Sequence, residues 1–174
     1  LERILDRCYD MLDANGSLAQ LDKAAIQAAS DALAKQGMRV LALTRRFSTD
    51  DKLTSAHVAE GLTFLGLQGM IDPPRPEVIR AIKKCQQAGI CIKMVTGDHS
   101  LTAQAIAEQI GLEGVRCQGK LITLTGRELE KMSPESLIEQ IDGITIFARI
   151  TPEQKLLLVN ALQAKGHIIA MTGD

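Results

Sequence analysis

Apolar and polar positions along the chain alternate between a helical and a strand-like period, which predicts an α/β architecture. Residues 1–13 read as an amphipathic helix, Ala14-Asn15-Gly16 breaks it, and Ser17 caps a second helix that ends at Gly37. Residues 38–44 (MRVLALT) and 62–67 (LTFLGL) read as strands that pair in one small sheet, separated by a polar loop containing Ser48, Thr49, Asp50 and Asp51. The sharpest break is Asp72-Pro73-Pro74-Arg75-Pro76, where clustered prolines fix φ and deny a continuing strand its donors. It sets a domain boundary between 1–72 and 73–174. Beyond it the pattern predicts a helix at 77–88, a strand at 90–95 and a helix at 101–110. A hairpin follows over 115–123, centred on Gln118-Gly119-Lys120, then two short helices at 127–132 and 134–140. A strand at 144–147, a helix at 152–164 and a strand at 167–171 complete a doubly wound layout.

Composition narrows the partners. The chain has 174 residues, 45% of them hydrophobic and 24% charged, enough apolar material for one ordinary core or two small ones. Lys plus Arg (20) nearly balance Asp plus Glu (21), which argues against a nucleic-acid partner or a polybasic hold on a membrane. The four cysteines, Cys8, Cys85, Cys91 and Cys117, form neither a C-x-x-C pair nor a Cys/His cluster, so they read as scattered thiols in a reducing compartment. No charged leader opens the sequence, and no apolar run approaches the ~18 residues of a spanning helix.

The same three residues follow two of the predicted strands. Residues 91–95 run into Thr96-Gly97-Asp98, and residues 167–171 run into Thr172-Gly173-Asp174. In open α/β sheets ligands bind beyond the carboxyl ends of the strands, where a hydroxyl, a bare glycine backbone and a carboxylate can converge on a phosphate or a metal. A turn followed by a helix cap is the competing reading of each copy alone, since Thr and Asp cap helices and Gly permits tight turns. Two copies shift the balance towards a site. Lys155 lies near the start of the helix before the second copy and is either a cation for the same strand ends or a solvated surface charge.

Four runs together carry a family resemblance: MVTGDHSLTAQAIA (94–107), GMIDPPRPEV (69–78), FARITPEQK (147–155) and the terminal MTGD. In order and approximate spacing they resemble P-type cation-transporting ATPases. ERILDRC (2–8) and GMRVLAL (37–43) extend the likeness to nearly the whole chain, and DPPRPEV with ERILDRC looks more like the bacterial calcium and sodium pump branch than the heavy-metal branch. The resemblance implies that 1–72 are the C-terminal part of a nucleotide-binding domain, a small α+β remnant. It also implies that 73–174 are a haloacid-dehalogenase-like, Rossmannoid phosphorylation domain truncated at both ends.

In that family ATP phosphorylates an aspartate in a D-K-T-G-T motif, with magnesium, and the aspartyl phosphate drives ion movement through a membrane domain. By motif matching, the resemblance assigns Thr96 and Gly97 to the transferred phosphoryl group, and Asp98 to the nucleotide end of the site. Lys155 would neutralise phosphoryl charge, and Asp174 would bind Mg2+. Arg39 would contact ATP phosphates from the nucleotide-binding side, while Asp72 and Arg75 flank the hinge, Arg75 within reach of nucleotide. These roles match what phosphoryl transfer requires, which is chiefly positioning plus cations and donors aimed at the transferred oxygens. For Arg39 the alternative is a water-exposed strand residue, and for Arg75 a hinge salt bridge.

The implied partners are ATP and the remainder of a parent ATPase with its membrane domain. The transported cation is not expected to bind here, since the family's selectivity resides in membrane helices. A position on the cytoplasmic side of the cell membrane follows from the same resemblance, with these residues soluble. The 174 residues contain no D-K-T-G-T, so this polypeptide is expected to be inactive alone. A soluble phosphatase of the same superfamily and a noncatalytic phosphate-binding module are the alternatives. In the family the strand ending in the nucleophilic aspartate lies between strands equivalent to 90–95 and 167–171. Its loss predicts that these two close up, that another segment fills the gap, or that the C-terminal strand detaches.

Overall fold

The computed structural model describes residues 1–48, 52 and 54–173, so Thr49, Asp50 and Asp51 of the predicted polar loop, and Asp174, lie outside the described residues. The chain folds as two compact units, Leu1–Ile71 and Asp72–Asp174. The result is mixed α/β.

The first unit opens with a single helical turn, α1 (Glu2–Leu5), followed by strand β1 (Cys8–Leu12) and strand β2 (Leu18–Gln20). A long helix over 1–13 does not form. The Asp13 carboxylate accepts the amides of Asn15 and Ser17 at 2.9 and 2.8 Å, and Gly16 takes a φ of 79°, which makes the A-N-G-S stretch a hairpin loop. Ser17 therefore caps nothing. Helix α2 (Lys23–Ala34) is capped by Asp22, whose carboxylate accepts the Ala25 amide, and it ends before Gly37 as the sequence indicates.

Strands β3 (Arg39–Arg45) and β4 (Leu62–Met70) pair antiparallel, as their patterning predicts. The four strands run in the order β2-β1-β4-β3, with β1 parallel to β4. Leu5, Ile26 and Phe64 form the buried centre of this unit, flanked by Met11, Leu21, Ala42 and Leu67.

The second unit begins with helix α3 (Pro76–Gln87) and then β5, which is only Met94–Val95 rather than the predicted 90–95. Residues 91–93 pair with no strand among the described residues, and the Lys93 ammonium instead reaches the carbonyls of Ile141, Asp142 and Ile144 at 2.8, 3.1 and 2.6 Å. Helix α4 (Ser100–Gln109) leads to the two-residue arms β6 (Arg116–Cys117) and β7 (Lys120–Leu121). Gln118 and Gly119 turn between them with φ of 50° and 79°, the paired left-handed geometry of a tight hairpin. The predicted hairpin ends sooner than expected. Thr123–Thr125 leaves it as β8 and joins the main sheet.

Short helices α5 (Gly126–Leu129) and α6 (Pro134–Gln140), strand β9 (Ile146–Ala148) and helix α7 (Pro152–Ala164) complete the unit. The sheet is parallel, in the order β5-β9-β8. All three residues of β9 are buried, and their alternation divides two cores. Ile146 and Ala148 pack with Ala103 and Ala107 of α4, whereas Phe147 packs with Leu129, Leu137, Leu158 and Ala161 of α5, α6 and α7. Helices thus cover both faces of the middle strand.

Residues 167–171 do not form a strand. Of the three expected outcomes the C-terminal segment takes the detached one: Ile168 is fully exposed and Met171 largely so. Helix α7 ends in a Schellman motif, with Gly166 at a φ of 85° and the amides of Gly166 and His167 donating to Gln163 and Leu162. The segment beyond it pairs with no strand among the described residues. No helix among them is long and apolar enough to cross a membrane.

Candidate functional site

Thr96, Gly97 and Asp98 form the loop between β5 and α4, at the carboxyl end of the parallel sheet. The loop is held at both its start and its finish. Thr96 donates its amide to the Phe147 carbonyl at 2.9 Å and accepts the Ile150 amide at 3.1 Å, while the Asp98 carbonyl accepts the Arg149 amide at 3.0 Å. Inside the loop the Thr96 hydroxyl donates to the Asp98 carboxylate at 3.1 Å and accepts the Asp98 amide at the same distance. Two strand ends are thereby tied into one surface.

Gly97 is exposed, and a Cβ built on it would meet nothing within 4 Å. Nothing among the described residues crowds that position. An open backbone beside a hydroxyl and the start of a ten-residue helix is a place where an anion can approach main-chain donors. His99 caps that helix, its ring Nδ1 accepting the Leu101 amide at 3.3 Å.

The opposite wall comes from the segment between β9 and α7. Arg149 adopts a left-handed φ of 54°, a conformation that costs a side-chain-bearing residue on the order of 1 kcal/mol or more and is found where surrounding contacts over-determine it. Those contacts are visible. Its amide is taken by Asp98, and its carbonyl lies so close to Gly126 that a Cβ there would collide with it and with the Gln154 side chain. Thr151 and Gln154 form a capping box at the start of α7. Gln154, 7% exposed, also donates to the Gly126 carbonyl at 3.1 Å and to the Glu130 carboxylate at 3.2 Å. Lys155 follows in the first turn of α7, half-buried.

The structure brings Thr96, Gly97 and Asp98 against the segment that leads into Lys155. Arg75, Asp72 and Arg39 belong to other segments of the chain. Arg75 stands before α3 with its side chain exposed and its carbonyl accepting the Val78 amide. Asp72 is exposed at the start of the second unit. Arg39 is the exposed first residue of β3 in the first unit, registered opposite Met70. Asp174 lies outside the described residues, and among those described no three His, Cys, Asp or Glu side chains converge as a metal site. The described donors alone do not make a site for magnesium.

Sequence reasoning missed Arg149 and Gln154. The T-P-E-Q run carried the capping-box signal for Gln154. No local signal marks a left-handed arginine.

Residues 1–77 match the family model described as P-type ATPase, cytoplasmic domain N. The whole chain is 46% identical to cation-transporting ATPase pma1 of Synechocystis sp. and 43% identical to probable cation-transporting ATPase F of Mycobacterium bovis, spanning 19% of each. Calcium-transporting ATPase 1 of Bacillus cereus is 40% identical, again over all of this chain and 19% of its own length. The chain thus corresponds to about a fifth of the curated relatives it matches. By sequence along its entire length, this chain belongs to the P-type cation-transporting ATPases.

Proposed function

We propose that these residues are part of the catalytic apparatus of an ATP-driven cation pump that works through an aspartyl-phosphate intermediate, with residues 1–72 from its nucleotide-binding domain and 73–174 from a haloacid-dehalogenase-like phosphorylation domain. The observation that carries this reading is the cross-tied loop, in which Thr96 and Asp98 are fixed to Ile150 and Arg149 with Gly97 left open between them. Rigid donors around an open backbone suit a phosphoryl group, because charge accumulates on the transferred oxygens while the site need not reorganise.

In this reading the Gly97 amide donates to the transferred oxygens, the Thr96 hydroxyl joins it by turning its one proton from the Asp98 carboxylate towards them, and the Lys155 ammonium neutralises their charge. Asp98 holds the Thr96 hydroxyl oxygen in place through its amide and organises the nucleotide end. Arg39 meets ATP phosphates from the first unit, and Arg75 serves at the hinge. Magnesium, bound in the intact protein with Asp174 among its ligands, would shield phosphate charge. Catalysis belongs to the longer protein, on the cytoplasmic side of its membrane domain, since the sequence here supplies no D-K-T-G-T nucleophile.

The test has two arms. Incubated with radiolabelled ATP and magnesium, this polypeptide should give no acid-stable, hydroxylamine-sensitive band; such a band would refute the assignment of roles. In the intact ATPase, Lys155→Ala should slow phosphorylation about ten-fold to a thousand-fold. Unchanged phosphorylation would return Lys155 to the solvated surface.

A further inference from the structure

At the amino-terminal end of the second unit's sheet, away from the loop just described, four basic and acidic side chains meet on one turn. The turn is 141–144, between α6 and β9. Asp142 accepts from Lys165 at 2.6 Å on one carboxylate oxygen and from the His167 ring at 2.8 Å on the other. Lys93, at the entrance to β5, donates to three carbonyls of the same turn, and Lys165 also approaches the Glu139 carbonyl at 3.5 Å.

The sequence positions of these residues give the arrangement its meaning. Lys93 stands three residues before Thr96, and His167 stands five before Thr172, so both Thr-Gly-Asp runs depart from one anchored turn. Fixing the two departure points limits where the ends can go, because an extended chain advances only about 3.3 Å per residue.

We propose that Asp142 is a positioning residue, which clamps Lys165 and His167 so that the segment carrying Thr172, Gly173 and Asp174 leaves α7 in fixed relation to the strand carrying Thr96. This rests on the phosphoryl-site reading of the two runs. The clamp has no other evident partner for its work, since Ile168 and Met171 beyond it are exposed and contribute no buried anchor. It is electrostatic and about half-exposed, so it responds to salt and acid as a packed core would not. Hydrogen bonds from Lys165 and then His167 hold the Asp142 carboxyl below its ordinary pKa of 3.8, and Lys165 and His167 charges act in the same direction. The clamp is therefore present above the ordinary carboxylate range and lost as pH falls through the depressed value. Lys93 also faces the turn, with the Cys91 thiol near it.

Amide hydrogen exchange on the 174-residue chain tests the clamp without nucleotide, phosphate or metal. Asp142→Asn should speed exchange at the Gly166 and His167 amides, which are hydrogen-bonded to Gln163 and Leu162, about three- to ten-fold while leaving the Phe147 and Leu158 amides unchanged, and Asp142→Glu should restore most of the protection. Raising salt to about 1 M should loosen the same amides in the parent chain and do nothing further in Asp142→Asn. Equal exchange in Asp142→Asn and the parent chain would overturn the proposal, as would a loss of protection spread evenly over β9 and α7. His167→Gln, which keeps a donor and removes the ionisable ring, should fall between the two. Because no phosphoryl ligand enters the measurement, failure of the proposed function would leave these results standing.

Discussion

The main-chain carbonyl of Asp98 and the main-chain amide of Arg149 meet at 3.0 Å, joining the turn after one strand to the turn after its neighbour. That bond fixes Arg149 in a left-handed conformation, which a glycine would adopt without steric cost. Arg149→Gly should therefore leave thermal stability unchanged or raise it by up to about 1 kcal/mol, whereas Arg149→Val should lower it by about 1–3 kcal/mol. Denaturant melts of the two variants decide the matter. A loss as large for glycine as for valine would mean that the guanidinium, not the backbone, holds the turn.

Gly126 faces the same turn from α5. A methyl group there meets the Arg149 carbonyl and the Gln154 side chain, neither able to move without breaking a bond already made. Gly126→Ala should cost about 1–3 kcal/mol by overpacking and should perturb the Asp98 and Arg149 amides in an NMR spectrum. Wild-type stability with unshifted amides would show that the turn has slack.

Thr96→Val keeps the shape of the side chain and removes the hydroxyl that bridges the Asp98 carboxylate and amide. The two main-chain ties of Thr96 remain. Global stability should fall by no more than about 1.5 kcal/mol, while the Asp98 amide exchanges faster. Equal loosening of β5 itself would assign the hydroxyl a wider structural part.

Glu128 closes the capping box of α5, accepting from the Thr125 hydroxyl at 2.6 Å and the Thr125 amide at 2.8 Å. Those two bonds, the hydroxyl first, hold its carboxyl below the ordinary 4.5. Its contribution is thus full above about pH 4.3 and fades as acid carries the pH through the lowered folded value. At neutral pH Glu128→Gln should be less stable by at most about 1 kcal/mol, and the two stability curves should converge in acid. Parallel curves down to pH 2 would remove Glu128 from the linkage.

How much of this could be read from sequence depends on whether the cause is local. Helix α7 shows its beginning in T-P-E-Q and its end in A-K-G, and the structure places both there. Hairpin β6–β7 declares itself through Gln118-Gly119. The failures have nonlocal causes. Cys8–Leu12 looks helical until Leu62 and Phe64 are available to pair with it, and residues 167–171 look like a strand although no neighbour among the described residues pairs with them. At the candidate site, Thr96, Gly97 and Asp98 were legible as a strand-end signature. Their fastening to Arg149 and Ile150 was not, because that depends on main-chain atoms about fifty residues away that every sequence possesses.

The strand orders carry a last consequence, for how the chain comes to be folded at all. In the first unit β4 lies inside the sheet, between β1 and β3, and it is made last; in the second, β9 lies between β5 and β8 and is again made last. A ribosome therefore releases the outer strands of each sheet before the strand that joins them. Met94 and Thr123 must wait, unpaired, until Ile146 emerges. Late closure by an interior strand raises the mean sequence separation of contacts, which slows folding and lengthens the time for which sheet edges stay open to other chains. The last described strand of the first unit ends at Met70, so that unit's sheet can pair while the second is still being synthesised.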